Sequence, residues 1–337
     1  MKNPLEKLPD EQRESLREAS HPEWTEPMLA RLTHDHFSDP DWLFERKLDG
    51  ERVLAFRDGD RVRLMSRNRK ELSETYPEIA EAIAAQSADD FVVDGEVVAF
   101  DGKVTSFSRL QGRMQTRNAE DARKSGIAVY YYVFDLIHFA GRRLDKLPLR
   151  QRKAVLREAL QFSRRLRFTA HRNEHGEALL EDACARGWEG LIAKRADSGY
   201  THGRSSDWLK FKCTAGQELV IGGYTAPKGE RKGFGALLLG YYEDDALRYA
   251  GRVGTGFDDE LLRSLKKKMD RLSRKTSPFD DEVKAGGDSV TWVKPELVAE
   301  IGFTEWTSDG KLRHPRFLGL RRDKSPRSVV REEPGAR

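Results

Sequence analysis

The segment Glu45-Arg46-Lys47-Leu48-Asp49-Gly50-Glu51-Arg52 puts a lysine at the end of a candidate strand, followed by a turn and an arginine. A lysine amine attacks phosphorus only when deprotonated. A site that uses one must therefore depress its pKa with neighbouring cations or a metal, and must supply positive groups for the phosphoryl oxygens. Lys47 is the candidate for the first role and Arg52 for the second. K-x-D-G-x-R fixes four of six positions, and a surface lysine beside an Asp-Gly turn is the plain alternative.

Two further blocks, Val92-Val93-Asp94-Gly95-Glu96-Val97-Val98 and Trp188-Glu189-Gly190-Leu191-Ile192-Ala193-Lys194, each set an acidic residue beside a glycine at a strand. The missing side chain lets a ligand or another backbone approach closely. Converging carboxylates could hold a hard divalent cation that bridges phosphate oxygens; a D-G-E taken alone reads as a hairpin turn. In Asp207-Trp208-Leu209-Lys210-Phe211-Lys212, strand alternation sends Trp208, Lys210 and Lys212 to one face and Leu209 and Phe211 to the other. Two ammonium groups then point the same way about 7 Å apart along the strand. Like charges so placed repel unless an anion lies between them; both facing solvent is the alternative.

Other chemistries have no support. Cys184 and Cys213 are the two cysteines, too few for a disulfide framework or a four-cysteine zinc site, and both are expected to be buried small hydrophobes. The eight histidines form no pattern such as H-E-x-x-H, which leaves carboxylates as metal ligands and favours Mg²⁺ or Mn²⁺.

The elements that must carry these residues read as strands at 42–47, 52–57, 61–66, 91–93, 96–100, 128–135 and 191–193, with helices at 76–85, 149–163 and 176–186. Asp58-Gly59 and Asp101-Gly102 are hairpin-turn dipeptides. Strands interleaved with helices, without a regular βαβ repeat, predict an α+β fold with antiparallel sheets. After about Lys212 the pattern changes to Gly-rich strands at 218–225, 235–242, 247–253 and 297–306 with one helix, 258–272, which suits an OB-type β-barrel. The expected division is an extension at 1–27, weakly helical and loosely held over its first twenty residues, domains at 28–214 and 215–325, and a basic disordered tail at 326–337.

The 337 residues suffice for two domains or one large one, and 34% of them are charged. Residues 1–45 hold five basic and eleven acidic side chains, whereas the remainder carries a net charge of +10, and Lys311–Arg337 alone carries +6. A basic body suits a polyanionic partner, and a solvated basic surface is the other reading. No run approaches the ~18–20 apolar residues of a spanning helix and Met1–Ser20 lacks the apolar core of a secretion signal, so no membrane association and a cytoplasmic location are expected.

The blocks K-L-D-G-E-R, S-R-N-R-K at Ser66–Lys70, D-G-E, Y-V-F-D at Tyr132–Asp135, E-G-L-I-A-K, W-L-K-F-K and R-R-D-K at Arg321–Lys324 occur in one order. That ordered set resembles the covalent nucleotidyltransferases: ATP-dependent DNA ligases, RNA ligases and mRNA-capping enzymes. The resemblance runs from about Met28 to Lys324. The stretch from Trp292 to Ile301, together with Phe303–Trp306 and Leu312–Phe317, is most similar to the ligase domain of the bacterial end-joining ligase D.

The resemblance implies a nucleotidyltransferase domain followed by an OB-fold domain, with ATP and Mg²⁺ or Mn²⁺ as cofactors. It makes Lys47 the residue that becomes adenylated and gives Glu45 the adenine amino group. Arg52 and Arg67 would contact ribose and phosphates, Glu96 the ribose and the metal, and Phe134 would stack on the base. Glu189 would serve the metal, Lys210 and Lys212 the α-phosphate, and Arg322, Asp323 and Lys324 the leaving pyrophosphate. The implied partners are nicked or broken duplex DNA, with Ku and an end-processing polymerase or phosphoesterase, around a monomer. Only 46 residues precede Lys47, too few for the helical DNA-binding domain of large ligases, and no polymerase or phosphoesterase domain fits in the sequence, so a stand-alone ligase or an excised ligase domain is expected. An RNA-joining or capping enzyme, and a non-catalytic DNA-binding scaffold, are the alternatives.

Overall fold

The computed structural model describes residues 3–116, 118–213, 216–227, 229, 232–283 and 288–332, and the chain divides between Cys213 and Thr214 into two compact units. In the first unit two sheets face one another. The larger has the strand order Arg17–Glu18, Arg142–Arg143, Val129–Phe139, Asp90–Asp101, Glu51–Asp58 and Arg61–Ser66, with two short strands, Leu166–Phe168 and Val104–Thr105, added at its sides. The smaller runs His171–Asn173, Trp42–Arg46, Gly190–Arg195, Gly203–Lys212 and Met28–Leu32.

Alternation decides which side chains the sheets turn toward each other. Leu54, Phe56, Val92 and Phe134 of the larger sheet meet Met28 and Trp208 of the smaller in one buried cluster. The opposite face of the larger sheet packs on helices Pro77–Ala84, Phe107–Met114 and Leu149–Ala159 through Ile79, Ile83, Leu110, Val155 and Leu156. That of the smaller sheet packs Trp42, Phe44, Leu191, Leu209 and Phe211 on helix Gly176–Ala185.

Helix Leu149–Ala159 buries two cations with its apolar residues. Arg152 donates to both oxygens of the fully buried Asp135 (2.7 and 2.9 Å) and to the carbonyls of Leu147 and Ser198. Breaking one side of such a pair leaves a charge stranded away from water, so Asp135→Asn should cost about 3–5 kcal/mol of unfolding free energy. Urea denaturation measures this, and a loss below ~1 kcal/mol would mean that the pair contributes no more than a surface bridge.

The second unit has a six-stranded sheet in the order Ala246–Val253, Leu237–Glu243, Gly216–Thr225, Val290–Gly302 and Ser273–Arg274, with Arg316–Leu320 also paired to Val290–Gly302. Helix Asp259–Asp270, capped by the Asp258 side chain, buries Leu262, Leu265 and Met269 against it. This is the OB-fold domain, and the whole is α+β, mostly sheet. Among the described residues no helix is long and apolar enough to cross a membrane.

Five expectations change. Asp94-Gly95-Glu96 is no turn: Asp90–Asp101 is one strand, because Gly95 lies against Tyr131, where a Cβ would come within 2.4 Å of the ring. Helices Phe107–Met114 and Ala119–Lys124 were hidden by their polar sequences; side-chain caps from Ser106 and Asn118 start them. The N-terminal segment is held, since Leu5 and Leu8 join the helix-side core and Arg17–Glu18 pairs with Arg142–Arg143. The tail is ordered as far as residue 332: Val329 is buried and Gln217 donates to the Val330 carbonyl, while 333–337 lie outside the described residues. Cys184 and Cys213 are a disulfide rather than buried thiols, because helix Gly176–Ala185 and the end of strand Gly203–Lys212 bring their Cα atoms to 5.3 Å. Both hairpin dipeptides turn as expected, with Gly59 and Gly102 at positive φ.

Candidate active site

Lys47 follows strand Trp42–Arg46 directly, and its N–H donates to the carbonyl of Gly190 on the neighbouring strand (2.9 Å). Its Nζ forms an ion pair with Glu189 Oε1 at 2.5 Å, with both side chains partly open to solvent. Gly190 between them has φ +142°, and a Cβ there would fall 1.9 Å from the Phe211 carbonyl oxygen. The glycine of E-G-L-I-A-K is thus required for the strand carrying Glu189 to lie against the strand carrying Lys210 and Lys212. Register places Ile192 opposite both Glu45 and Lys210, and Gly190 opposite Lys212. Glu45, Lys47, Glu189, Lys210 and Lys212 are therefore neighbours on one sheet, and Lys210 and Lys212 share the Trp208 face, as alternation requires.

The facing sheet contributes Arg52, Glu96 and Phe134. Arg52 and Glu96 are directly opposed across their strands. The Arg52 guanidinium grips Asp94 through two hydrogen bonds of 2.5 Å, donates to the Met28 carbonyl and lies 4.6 Å from the Phe134 ring centre. Burial opposes its charge, but Asp94 outweighs that and holds the guanidinium pKa above its ordinary value. Phe134 is the extra residue of a β-bulge, since Asp94 pairs with Asp135 and Gly95 with Val133. The bulge lets Phe134 face Trp208 while the adjacent Asp135 turns to Arg152.

Glu45 is 2% exposed and sits between two ammonium groups, Lys153 Nζ at 2.5 Å and Lys194 Nζ at 2.7 Å. Burial alone would raise its carboxyl pKa; Lys153 and Lys194 together hold it below the usual value. Lys194 also lies 4.1 and 4.0 Å from the ring centres of Phe134 and Trp208, and burial, against the pull of Glu45, brings its ammonium down to about 8. A carboxylate has about four lone-pair positions, so two ammonium contacts leave Glu45 capacity to accept from an exocyclic amine.

Arg67 lies just beyond strand Arg61–Ser66, in a turn that Ser66 closes on Lys70. Arg322, Asp323 and Lys324 belong to the second unit. There Asp323 is buried and gripped by Arg321 at 2.9 and 2.8 Å, Lys324 pairs with Glu218 at 2.9 Å, and Arg322 is exposed.

Reading residues alone overlooked Lys153, Lys194 and Tyr200 as parts of this site, and gave Asp94 no role of its own. Lys194 stands two residues from Ile192 on the same strand, so alternation would have placed it beside the others. Lys153 carries no such signal on a helix already rich in charge. Tyr200, whose hydroxyl donates to Asp94 at 2.5 Å, comes from a loop 106 residues away.

For a divalent ion the donor set fits: Glu189 and Glu96 offer hard carboxylate oxygens from the two sheets, beside cations suited to phosphate.

The description "ATP dependent DNA ligase domain" matches residues 27–212, and "ATP dependent DNA ligase C terminal region" matches residues 230–324. The chain is 38% identical over 321 residues to the multifunctional non-homologous end joining protein LigD of Pseudomonas aeruginosa, covering 93% of this chain and 37% of that protein. It is 41% identical over 316 residues to the LigD of Mycobacterium tuberculosis, covering 91% and 40%. The chain thus spans about two fifths of the length of these curated relatives. A solved structure of mycobacterial DNA ligase D complexed with ATP and MES superposes with a TM-score of 0.65 at 35% identity, covering 91% of this chain and 98% of that one.

Proposed function

Because the chain belongs to the ATP-dependent DNA ligase family, we propose that its Lys47 is the residue that carries AMP between ATP and a DNA 5′-phosphate, at nicks and broken ends handled in end joining. The observation that carries this reading is the contact of Lys47 with Glu189 on a sheet face shared with Lys210 and Lys212.

In the first step the Lys47 ion pair opens and the ammonium, which is partly open to solvent, gives its proton to water. Its nitrogen then bonds to the α-phosphorus of ATP while the bond to pyrophosphate breaks. Lys210, Lys212 and Arg52 neutralise the phosphoryl oxygens, so the protein mainly positions groups and balances charge. The phosphoramide nitrogen no longer carries a positive charge, and its ion pair with Glu189 is gone. Once the Lys47 ion pair is open, Glu189 and Glu96 would hold Mg²⁺ or Mn²⁺, which would supply Lewis-acid neutralisation of phosphate charge in this step. AMP next passes to the DNA 5′-phosphate, regenerating the lysine, and the 3′-hydroxyl displaces AMP to close the strand. Glu45, between Lys153 and Lys194, and Phe134 would receive the base.

Incubation with α-labelled ATP or GTP, followed by denaturation and challenge with nicked DNA or RNA, tests this. Covalent AMP that transfers to nicked DNA is expected. Covalent GMP, or sealing confined to RNA, would favour a capping or RNA-joining enzyme, and no covalent nucleotide would leave a DNA-binding scaffold.

Ku and an end-processing polymerase or phosphoesterase are the partners proposed for a monomer of this chain, on the strength of its likeness to proteins named for end joining. DNA should be gripped chiefly through phosphates. If about six or more are contacted, raising salt from about 50 to about 200 mM weakens binding to nicked duplex by some three orders of magnitude. A flat response in a filter-binding titration would remove the basic surplus as the binding face.

A further inference from the structure

We propose that His21, Asp90 and His138 form a second metal centre, for a nitrogen-preferring divalent ion of the zinc class, which fastens the N-terminal segment to the larger sheet.

Asp90 opens strand Asp90–Asp101, His138 stands near the end of strand Val129–Phe139, and His21 comes from the segment preceding strand Met28–Leu32. His21 Nδ1 and His138 Nε2 lie 2.8 and 2.9 Å from the same oxygen, Asp90 Oδ1, and the three ligand atoms all fall within 4.8 Å of one another. The other oxygen, Oδ2, accepts from the Gly141 N–H, which orients the carboxylate. The site is distinct from the one around Lys47: Asp90 pairs with Asp58 where Glu96 pairs with Arg52, about 20 Å further along the strand.

Three observations point to a cation rather than to hydrogen bonding alone. A neutral imidazole has one donor and one acceptor nitrogen. His21 Nε2 and His138 Nδ1, the far nitrogens, are buried without a hydrogen-bond partner, so nothing on the far side of either ring fixes which nitrogen carries the proton. The proton shift that turns both near lone pairs inward yields two imidazoles and a carboxylate around one point, a donor set suited to zinc with water in the fourth position. Second, Asp58 and Asp90 face each other across antiparallel strands, a like-charge pairing that a cation relieves. Third, each ring nitrogen is close to the required distance from Asp90 Oδ1: a tetrahedral ion with ligands at about 2.0–2.1 Å sets neighbouring donors about 3.3 Å apart, a spreading of roughly half an ångström in these two distances, with the two nitrogens themselves within 4.8 Å of each other.

The bound ion would act through position. His21 is the anchor of a stretch in which Trp24 stacks on Phe56 and His21 meets Phe56 and His138 edge-on. Clamping His21 holds that stretch over strand Glu51–Asp58.

The test uses the full chain, treated with chelator and titrated with Co²⁺ or Zn²⁺ in Mg²⁺ buffer. One equivalent of Co²⁺ should give the visible absorption of a tetrahedral site, and Zn²⁺ should raise the melting temperature by several degrees. His21→Ala should weaken zinc binding at least tenfold and abolish both responses, with circular dichroism and Mg²⁺-dependent AMP labelling of Lys47 unchanged. Asp90→Asn, which keeps the hydrogen-bonding shape but loses the charge, should also lose the cobalt spectrum. If zinc binds no better to the parent than to His21→Ala, or if that variant melts lower by the same amount with and without zinc, the cluster is a hydrogen-bond network and the proposal is wrong. Loss of AMP labelling in the parent chain would count against the proposed function and leave this result standing.

Discussion

Lys47→Ala abolishes transfer of AMP to the chain, lowering it by about three orders of magnitude or more, while binding of nicked DNA stays within a few-fold. The change deletes a single amine from a partly exposed side chain whose partner is Glu189, and it removes nothing from the buried clusters that hold the sheets together. Lys47→Arg sharpens the test. A guanidinium can keep the contact with Glu189 but cannot shed its proton at working pH, so this variant should fold and bind DNA yet take no label. Labelling of either variant after denaturation would show that another residue is the nucleophile. Loss of DNA binding in parallel, in protein that circular dichroism reports as folded, would count against the role assigned to Lys47.

Arg322→Ala separates the two halves of the reaction. If the R-R-D-K segment serves the pyrophosphate leaving group, its exposed arginine matters when ATP is attacked and has no task once AMP sits on DNA. Formation of the enzyme–AMP adduct should fall about a hundredfold, far more than an ordinary surface charge deletion would cause. A nick that already carries 5′-AMP should be sealed at close to the parental rate. Rapid-quench measurement of both half-reactions on one preparation decides the matter. Normal adenylation with poor, salt-sensitive sealing would instead make Arg322 a DNA phosphate contact. Lys324→Ala serves as a companion, but it also removes the ion pair with Glu218. Asp323 is a poor probe, because its buried carboxylate is already committed to Arg321.

Lys47, Glu189, Lys210 and Lys212 were legible as chemistry because each sits on a strand or at its end, where a period of two tells which side chains share a face. Glu45 and Phe134 were reached only through resemblance to a family, and the structure explains why. Glu45 owes its surroundings to Lys153, on a helix more than a hundred residues later, and Phe134 owes its direction to a bulge that no local pattern announces. The Cys184–Cys213 bond and the His21–Asp90–His138 cluster were missed for a related reason. Spacing rules search for ligands and thiols close together in sequence, whereas these are brought together from a helix, a strand end and a non-strand segment only by tertiary packing.

From sequence alone came the α+β character, the change to Gly-rich strands near Lys212, the two Asp-Gly hairpins and the ordered set of reactive blocks. All depend on local periodicity, turn chemistry and residue type, which a chain carries before it folds. Only tertiary structure decided that Asp94-Gly95-Glu96 runs straight through a strand, that Arg52 belongs to Asp94, and that Glu45 lies between two lysines. Those outcomes rest on what stands opposite each residue once distant strands have paired: a tyrosine ring that leaves no room for a Cβ, and buried charges that must find partners far along the chain.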